Sequence, residues 1–240
     1  MPDTLIEKFS DMSWQERLKS LSDDQDDIAF SSSFSFEDQV ITHLIASNNL
    51  PIRVFTLDTG RHFEETHNVI QATNKKYPNL KIETYYPDTD KVQDLVKRNG
   101  INGFYESLDK RKDCCYVRKV EPLNRALKNT KIWISGLRRE HSENRGNLPI
   151  AEYDAAHKLI KFYPLIDIDL ETIKTYIKTH NIPYNELHDK GFPSIGCAPC
   201  TRAVKQGEHP RSGRWWWEHD DAQECGLHMV DGKLVKEQKA

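Results

Sequence analysis

Four of the five cysteines in this 240-residue chain occur as two tight pairs. Cys114 and Cys115 are adjacent in the stretch RKDCCYVRKVEP, and Cys197 and Cys200 form a C-x-x-C motif. Adjacent cysteines rarely bond to each other, because a disulfide needs a Cα separation that chain neighbours reach only with strain. Four thiolates in two pairs suit either a tetrahedral zinc ion or an iron–sulfur cluster.

The spacing within the pairs favours a [4Fe–4S] cluster over zinc. Zinc ligands in one pair are usually two or more residues apart, so that both reach one small ion. A cluster offers several separate irons, so adjacent cysteines can each bind their own. A zinc site is the second interpretation, and a thioredoxin-like redox role for the C-x-x-C motif is the third.

The fifth cysteine, Cys225, stands alone in the sequence ECGLH. A lone cysteine is more often a small buried residue than a nucleophile. Here Gly226 is adjacent, His228 follows three residues later and the context is polar, which favours an accessible thiol whose thiolate His228 could stabilise. Cys225 and His228 are therefore candidate catalytic residues.

Basic residues gather at 110–119, 138–145 and 202–214, although the net charge is −3. The negative net charge argues against a general nucleic-acid binder. Three separate basic clusters suggest a small anionic ligand, and ordinary solvated surface charge is the alternative. The turn SSSFSFED enters a helix, whose free N–H groups favour anions, but it lacks the G-K-[ST] ending of a phosphate-binding P-loop.

Strand and helix patterns alternate along the chain and position these residues. Apolar strands are predicted within 52–60, where the strand ends in a turn, at 80–86, and within 130–140, where the strand runs into a basic loop. Helices are predicted at 62–77, before Gly100, and after Asp169 as a cap. This alternation predicts an α/β protein with a doubly wound, mostly parallel sheet. Three polar stretches, SSSFSFED, LDTGRH and SGLRRE, follow strands, where such sheets bind ligands.

The composition is that of a soluble globular protein, with 37% hydrophobic and 30% charged residues. The first residues lack the basic start and apolar core of a signal peptide, and no run is long enough to span a membrane. We therefore expect a cytoplasmic protein without membrane contact, in which clustered thiols point to a metal or to catalysis rather than to disulfides.

Five motifs in order carry a family resemblance: KDCC..RKVEPL, SGLRREHS, PYNELHDKGFPSIGCAPCTRAV, RSGRWWWE and ECGLH. Together they resemble the bacterial assimilatory adenylyl-sulfate (APS) reductases, the iron–sulfur type of the phosphoadenylyl-sulfate (PAPS) reductase family. The resemblance spans about residues 28 to 229. It implies an adenine nucleotide alpha hydrolase-like, Rossmann-like domain over 1–207 and a mobile C-terminal catalytic tail over 208–240.

The resemblance also implies the chemistry. The two cysteine pairs would ligate one [4Fe–4S] cluster, and Cys225 would be the nucleophile that takes the sulfuryl group of APS. Thioredoxin, or a similar dithiol protein, would then release sulfite from the S-sulfocysteine. This reaction belongs to sulfate assimilation and cysteine biosynthesis.

The substrate-binding residues follow from the same resemblance, position by position. They are Ser33 and Ser35 in the turn that replaces the phosphate loop of related ATP pyrophosphatases, Leu57 and Gly136 around the adenosine, Lys119 between cluster and substrate, and Arg145, Arg211 and Arg214 around the phosphosulfate. From the residues alone, Arg211 and Arg214 could equally be solvated.

Three alternative functions stay open at the level of the sequence. The first is a PAPS reductase or a dual-substrate enzyme, although PAPS-specific relatives typically lack the two cysteine pairs. The second is a tRNA-thiolating enzyme, which would need an SGGxDS loop and a broad basic surface. The third is a non-catalytic zinc module. The sequence also leaves open whether the chain forms homo-oligomers.

Overall fold

The computed structural model describes residues 2–141 and 148–218 of the chain. Its α-helices are α1 Pro2–Phe9, α2 Trp14–Asp24, α3 Phe36–Ser47, α4 Glu64–Lys76, α5 Thr89–Asn99, α6 Leu108–Cys115, α7 Glu121–Ala126 and α8 Leu170–Thr179. Its strands are β1 Ile28–Ser31, β2 Arg53–Leu57, β3 Ile82–Tyr85, β4 Ile132–Ile134, β5 Ala151–Asp154 and β6 Leu159–Phe162. None of the described helices is both long and apolar enough to cross a membrane.

The six strands form one sheet in the order β3-β2-β1-β4-β6-β5. Strand β1 pairs in parallel with β2 on one side and with β4 on the other, and only the edge strand β5 runs antiparallel to its neighbour β6. The order reverses at β1, since the chain first adds strands on one side and then on the other. This topology confirms the predicted doubly wound, mostly parallel α/β fold.

The elements with clear local signals lie where the sequence predicts them. Gly100 ends α5 with a φ of 73°, a left-handed conformation that glycine adopts without strain. Asp169 caps α8, because its side chain accepts a hydrogen bond from the amide of Thr172. Strand β2 carries the burial pattern of an apolar central strand at 53–57.

Helix α2 has no clear sequence signal, because it buries a charged residue. Arg17 is 2% exposed and donates to both carboxylate oxygens of Asp167 at 2.6 and 2.7 Å. A buried arginine interrupts the apolar stripe that identifies an amphipathic helix. Helix α6, which contains the adjacent cysteines, and the β5–β6 hairpin were likewise not predicted from the sequence.

The chain divides into two compact units. The first, here called the sheet unit, contains the described residues of Met1–Thr56, Glu64–Glu83 and Leu127–Asn185. The second, the cysteine unit, contains those of Leu57–Phe63, Thr84–Ala126 and Glu186–Ala240. The predicted boundary at residue 207 stays a prediction, and most of the predicted tail lies outside the described residues.

The core of the sheet unit is aliphatic and aromatic. Side chains of β1 and β4, such as Ile28, Phe30 and Ile134, pack with Val40 and Ile41 of α3 in one buried cluster. Burial of such side chains contributes roughly 1.5–3 kcal/mol each. A rigid sheet of this kind fixes the turns at its strand ends, which is where the polar stretches noted in the sequence begin.

Candidate active site

Cys114 and Cys115 are the last two residues of α6. The helix continues directly into a π-helical turn at Tyr116–Val120, a distortion that occurs frequently at functional sites. Successive side chains on a helix point about 100° apart. The two sulfurs therefore leave the helix in different directions, as ligands of two separate metal atoms would.

Cys197 precedes a short 3₁₀ turn at Ala198–Cys200, and Cys200 is the last residue of that turn. The turn is closed by the amide of Cys200, which donates to the carbonyl of Cys197 at 2.9 Å. It is anchored at its start because the amide of Ala198 donates to the carbonyl of Arg61 at 2.8 Å. Backbone hydrogen bonds thus set the positions of both cysteines.

The two pairs, here called the cysteine quartet, come together in the cysteine unit. Cys200 packs in a buried cluster with Phe104 and Trp215, and Cys114 and Cys197 pack against the same cluster. All four cysteines are free of disulfides. Burial raises the pKa of the Cys200 thiol, and the charges of the other three cysteines raise it further, so the four sulfurs are close enough to interact.

The spacing of the sulfurs bears on the zinc interpretation. A tetrahedral zinc ion with Zn–S bonds of about 2.3 Å holds its thiolates about 3.8 Å apart. Among the described cysteines, no three sulfur atoms lie within 4.8 Å of one another. The four sulfurs are therefore not drawn together to the spacing of a single zinc ion in this structure.

Two members of the quartet are held by neighbours from the LDTGRH turn and the π-helical turn. The hydroxyl of Thr59 lies 3.2 Å from the sulfur of Cys197. Arg118 donates to the carbonyl of Thr59 at 2.7 Å and hydrogen-bonds the sulfur of Cys114. Burial raises the pKa of the Cys114 thiol, while Arg118 and Arg61 act to lower it.

Arginines also accompany the other two sulfurs. Arg111 hydrogen-bonds Cys115. The charge of Arg214 favours the thiolate of Cys200, in opposition to the effect of burial on its pKa. The guanidinium of Arg214 lies over the ring of Trp215 at 4.7 Å and donates to Ser194 at 3.3 Å. Cations around four thiolates offset the negative charge that a thiolate-ligated cluster brings into a partly buried site.

The serine-rich turn lies in the sheet unit, between β1 and α3. Phe34 has a φ of 59°, and Ser35 caps α3 by accepting a hydrogen bond from the amide of Asp38 at 3.3 Å. The amide and the hydroxyl of Ser33 both donate to the carboxylate of Asp38 at 2.6 Å. An anion at Ser33 would therefore compete with this carboxylate, whose pKa burial raises to about 6.

Gly136, which follows β4, lies against the same carboxylate. A Cβ atom on Gly136 would lie 2.3 Å from an oxygen of Asp38 and 3.0 Å from the Cβ of Glu37, so only glycine fits at this approach. Arg138, two residues after Gly136, pairs with Glu37 at 2.7 Å. Both side chains are buried, with exposures of 4% and 5%. The stretches SSSFSFED and SGLRRE thus meet through charged side chains.

The structure places the remaining predicted site residues as follows. Leu57 is the half-buried last residue of β2, and Lys119 lies half-buried in the π-helical turn. Arg211 is half-buried, and its carbonyl accepts a hydrogen bond from the amide of Arg214 at 2.9 Å. Arg145, Cys225 and His228 lie outside the described residues, so their predicted roles stay predictions.

Four residues of the site were not singled out in the sequence: Thr59, Arg61, Arg111 and Arg118. Signals for them existed, because Thr59 and Arg61 belong to the polar stretch LDTGRH and the other two to the basic cluster 110–119. Those signals indicated a ligand site in general. They did not indicate that these side chains would accompany cysteines.

The fold places the chain in the class of α/β proteins with a doubly wound, mostly parallel sheet. A solved structure of Candida glabrata FMN adenylyltransferase with FAD and inorganic pyrophosphate superposes with a TM-score of 0.52 at 16% identity. The superposition covers 92% of this chain and 83% of that one. This likeness concerns the fold alone. The phosphoadenosine phosphosulfate reductase domain family matches residues 27–203. The chain belongs to this family.

Curated relatives support the assignment. An adenosine 5'-phosphosulfate reductase of Agrobacterium fabrum is 50% identical over 84% of this chain and 77% of its own length. One of Allochromatium vinosum is 48% identical over 89% of this chain and 83% of its own length. The crystal structure of a PAPS reductase from Candida auris in a phosphate complex is 26% identical, with a TM-score of 0.72, covering 84% of this chain and 95% of that one.

Proposed function

We propose that this protein reduces adenosine 5'-phosphosulfate to sulfite and AMP, with thioredoxin or a similar dithiol protein as the electron donor. The observation that carries the proposal is the cysteine quartet. Cys114, Cys197 and Cys200, from distant parts of the chain, pack in one apolar cluster, and Cys115 interacts electrostatically with Cys200, in a chain about 50% identical to a protein named adenosine 5'-phosphosulfate reductase. We place the reaction in assimilatory sulfate reduction.

The reaction proceeds in two transfers on the sulfur of Cys225. Its thiolate attacks the sulfuryl sulfur of APS, a sulfur–sulfur bond forms, and AMP leaves with the electron pair of the broken sulfur–oxygen bond. A thioredoxin thiolate then attacks the Cys225 sulfur and expels sulfite. The second thioredoxin thiol resolves the mixed disulfide, so the two electrons that reduce the sulfur come from thioredoxin. His228 stabilises the attacking thiolate.

The cysteine quartet is the proposed site of a [4Fe–4S] cluster, which when bound supplies a fixed charge and holds its four ligands together without changing oxidation state. Cys114 and Cys115 leave α6 in different directions, as ligands of separate irons would, which supports this assignment. Lys119, on the turn that follows the cysteines, is the residue that we assign to attract the anionic substrate.

The substrate brings a phosphate and a sulfate that need donors. Ser33 and Ser35 supply hydroxyl and amide groups at the N-terminus of α3. The adenosine is proposed to bind near Leu57, the last residue of β2, and Gly136, which follows β4. Arg145, Arg211 and Arg214 supply charge-assisted hydrogen bonds to the phosphosulfate, each worth roughly 1.5–3 kcal/mol.

A covalent adduct tests the proposed reaction. Incubation with APS but no thioredoxin is expected to add the mass of one SO₃ group at Cys225, and reduced thioredoxin should remove it and release sulfite. Cys225→Ser should form no adduct while keeping its iron. Release of sulfite by Cys225→Ser at the parent rate would refute the proposal.

The second candidate function is PAPS reduction, because a solved relative is a PAPS reductase. The cysteine quartet favours APS, since PAPS-specific relatives typically lack the two pairs. Turnover with APS and with PAPS, each at a concentration well below its KM, gives the ratio of the two kcat/KM values. A ratio that favours PAPS would reverse the assignment, and equal values would make this a dual-substrate enzyme.

A further inference from the structure

Arg111 occupies an unusual position three residues before the first cysteine of the quartet. Its side chain is 1% exposed, although arginine is rarely buried unless it is paired. It lies in α6, one helical turn before Cys115, and hydrogen-bonds that cysteine's sulfur. The same guanidinium lies over the ring of Trp215 at 4.6 Å.

The remaining donors of Arg111 reach a carboxylate at the end of the described chain. Nε and Nη2 of Arg111 donate to the two oxygens of Glu218 at 2.8 Å each, a bidentate pair across 107 residues of sequence. The side chain of Glu218 is 7% exposed. Bidentate arginine–carboxylate pairs are among the more specific polar contacts, and burial protects this one from screening by solvent.

Backbone hydrogen bonds hold the start of the segment 213–218, and Arg111 adds a side-chain anchor at its end. Trp215 has a φ of 46°, an uncommon conformation for a residue with a side chain. Its amide donates to the carbonyl of Cys200 at 3.1 Å, and the amide of Glu218 donates to the carbonyl of Trp215 at 2.8 Å. The segment contains no helix or strand of its own in the described structure.

We infer that Arg111 is a positioning residue. It joins Cys115 to Trp215 and Glu218 and so ties the segment 213–218 to the cysteine quartet. It thereby sets the point from which the chain runs to Cys225. Cys225 follows Glu218 by seven residues in the sequence. The link to Cys225 rests on the proposed function. The tie between Arg111 and the segment does not.

Native-state hydrogen exchange, measured by mass spectrometry on the anaerobically purified full chain without substrate, tests the tie. Glu218→Gln keeps the shape of the side chain but removes its charge, and it touches none of the cysteines. Peptides covering 213–218 are expected to exchange roughly 10- to 100-fold faster, as the loss of a charge-assisted pair predicts. Arg111→Lys keeps the charge but loses the second hydrogen bond, so its effect should be intermediate.

The matched control is Glu208→Gln. Glu208 forms a similar bidentate pair with Arg202, at 2.8 and 3.2 Å, but this pair is about one-third exposed. Exposed pairs contribute little. The control should therefore leave exchange in 213–218 unchanged. Equal acceleration in Glu208→Gln and Glu218→Gln, or none in Glu218→Gln, would overturn the inference.

A kinetic measurement separates positioning from general stability. At saturating APS, the single-turnover rate of Cys225 sulfonation is expected to fall at least tenfold in Glu218→Gln, with the KM for APS unchanged, because the thiol is misplaced while the nucleotide site is intact. A change in the KM for APS with an unchanged single-turnover rate would overturn the role of Arg111 in positioning Cys225. If residues 213–218 exchange faster in Glu218→Gln but the parent protein forms no adduct at all, the result would count against the proposed function and still support the tie.

Discussion

Each cysteine of the quartet has a polar neighbour of its own. Thr59 accompanies Cys197, Arg118 accompanies Cys114, Arg111 accompanies Cys115 and Arg214 accompanies Cys200. Burial alone keeps a thiol protonated, whereas a nearby cation favours the thiolate that a metal ion requires. The three arginines therefore favour the thiolate forms of Cys114, Cys115 and Cys200.

The first residue-scale prediction concerns metal content. Cys115→Ser removes one of four proposed ligands, so its iron is expected to fall from about four atoms per chain to a small fraction of that, with loss of the visible absorption. Cys225→Ser is the control and should keep both. Stoichiometric zinc without sulfide in active parent protein would contradict the cluster.

The second residue-scale prediction concerns Asp38. Burial raises the pKa of its carboxyl to about 6, from about 4 in an unfolded chain. Between these values the folded state binds the proton more tightly than the unfolded state, so stability is expected to fall as the pH rises from 4 to 6. Since one pKa unit corresponds to about 1.4 kcal/mol, the loss should approach about 3 kcal/mol.

Asp38→Asn should remove this slope, because asparagine does not titrate. Urea unfolding of both proteins between pH 4 and pH 7 measures the difference in the free energy of unfolding. Parallel curves for parent and variant over this range would contradict the raised pKa. The result bears on substrate binding as well, since Asp38 accepts the hydrogen bonds of Ser33.

At the scale of elements, the segment after residue 207 is held by backbone contacts to the C-x-x-C region. Thr201 and Arg214 form an isolated antiparallel bridge, and the amide of Arg202 donates to the carbonyl of Gly213 at 2.9 Å. The two chains approach so closely that a Cβ on Gly213 would lie 2.4 Å from the carbonyl oxygen of Arg202. The contact therefore requires glycine.

Gly213→Ala is expected to destabilise this pairing by about 1–3 kcal/mol, the usual cost of overpacking, because the clash involves backbone and cannot be relieved by a rotamer change. Gly207→Ala is the matched control. Gly207 has open space around it but a φ of 88°, so alanine there should cost only about 1 kcal/mol. Thermal unfolding measures both, and a smaller effect at 213 than at 207 would contradict the close approach.

At the scale of the whole molecule, the two units differ in what stabilises them. The sheet unit has a large aliphatic core, whereas half of the members of the apolar cluster around the quartet are cysteines. Ligand bonds to a metal can supply folding free energy that such a small cluster lacks. The two units should therefore respond differently to loss of iron.

Removal of iron with a chelator is expected to increase hydrogen exchange in peptides that cover α6 and residues 196–203. Peptides that cover β1 and β4 should keep their protection, since their core contains no ligand. Reconstitution with iron and sulfide is the control and should restore the protection. Equal loss of protection in all of these peptides would show that the units unfold together.

The sequence alone determined the elements whose signals act over a few residues. Gly100 and Asp169 mark helix ends by their own conformation and hydrogen bonding. The apolar stretch 52–60 predicts a strand that ends in a turn, and the strand is observed at 53–57. The pairing of the cysteines, with Cys225 apart, likewise required no coordinates. Helix α2 escaped prediction because a buried arginine takes an apolar position.

Only the tertiary structure decided which side chains accompany the cysteines. Thr59 meets Cys197 across 138 residues and Arg111 meets Glu218 across 107 residues, and no local pattern encodes contacts of that range. A threonine after a strand or an arginine in a basic cluster has the same local sequence pattern whether its side chain faces solvent or a sulfur atom. The difference arises when the chain folds, because packing sets which polar groups lose water and must find partners within the protein.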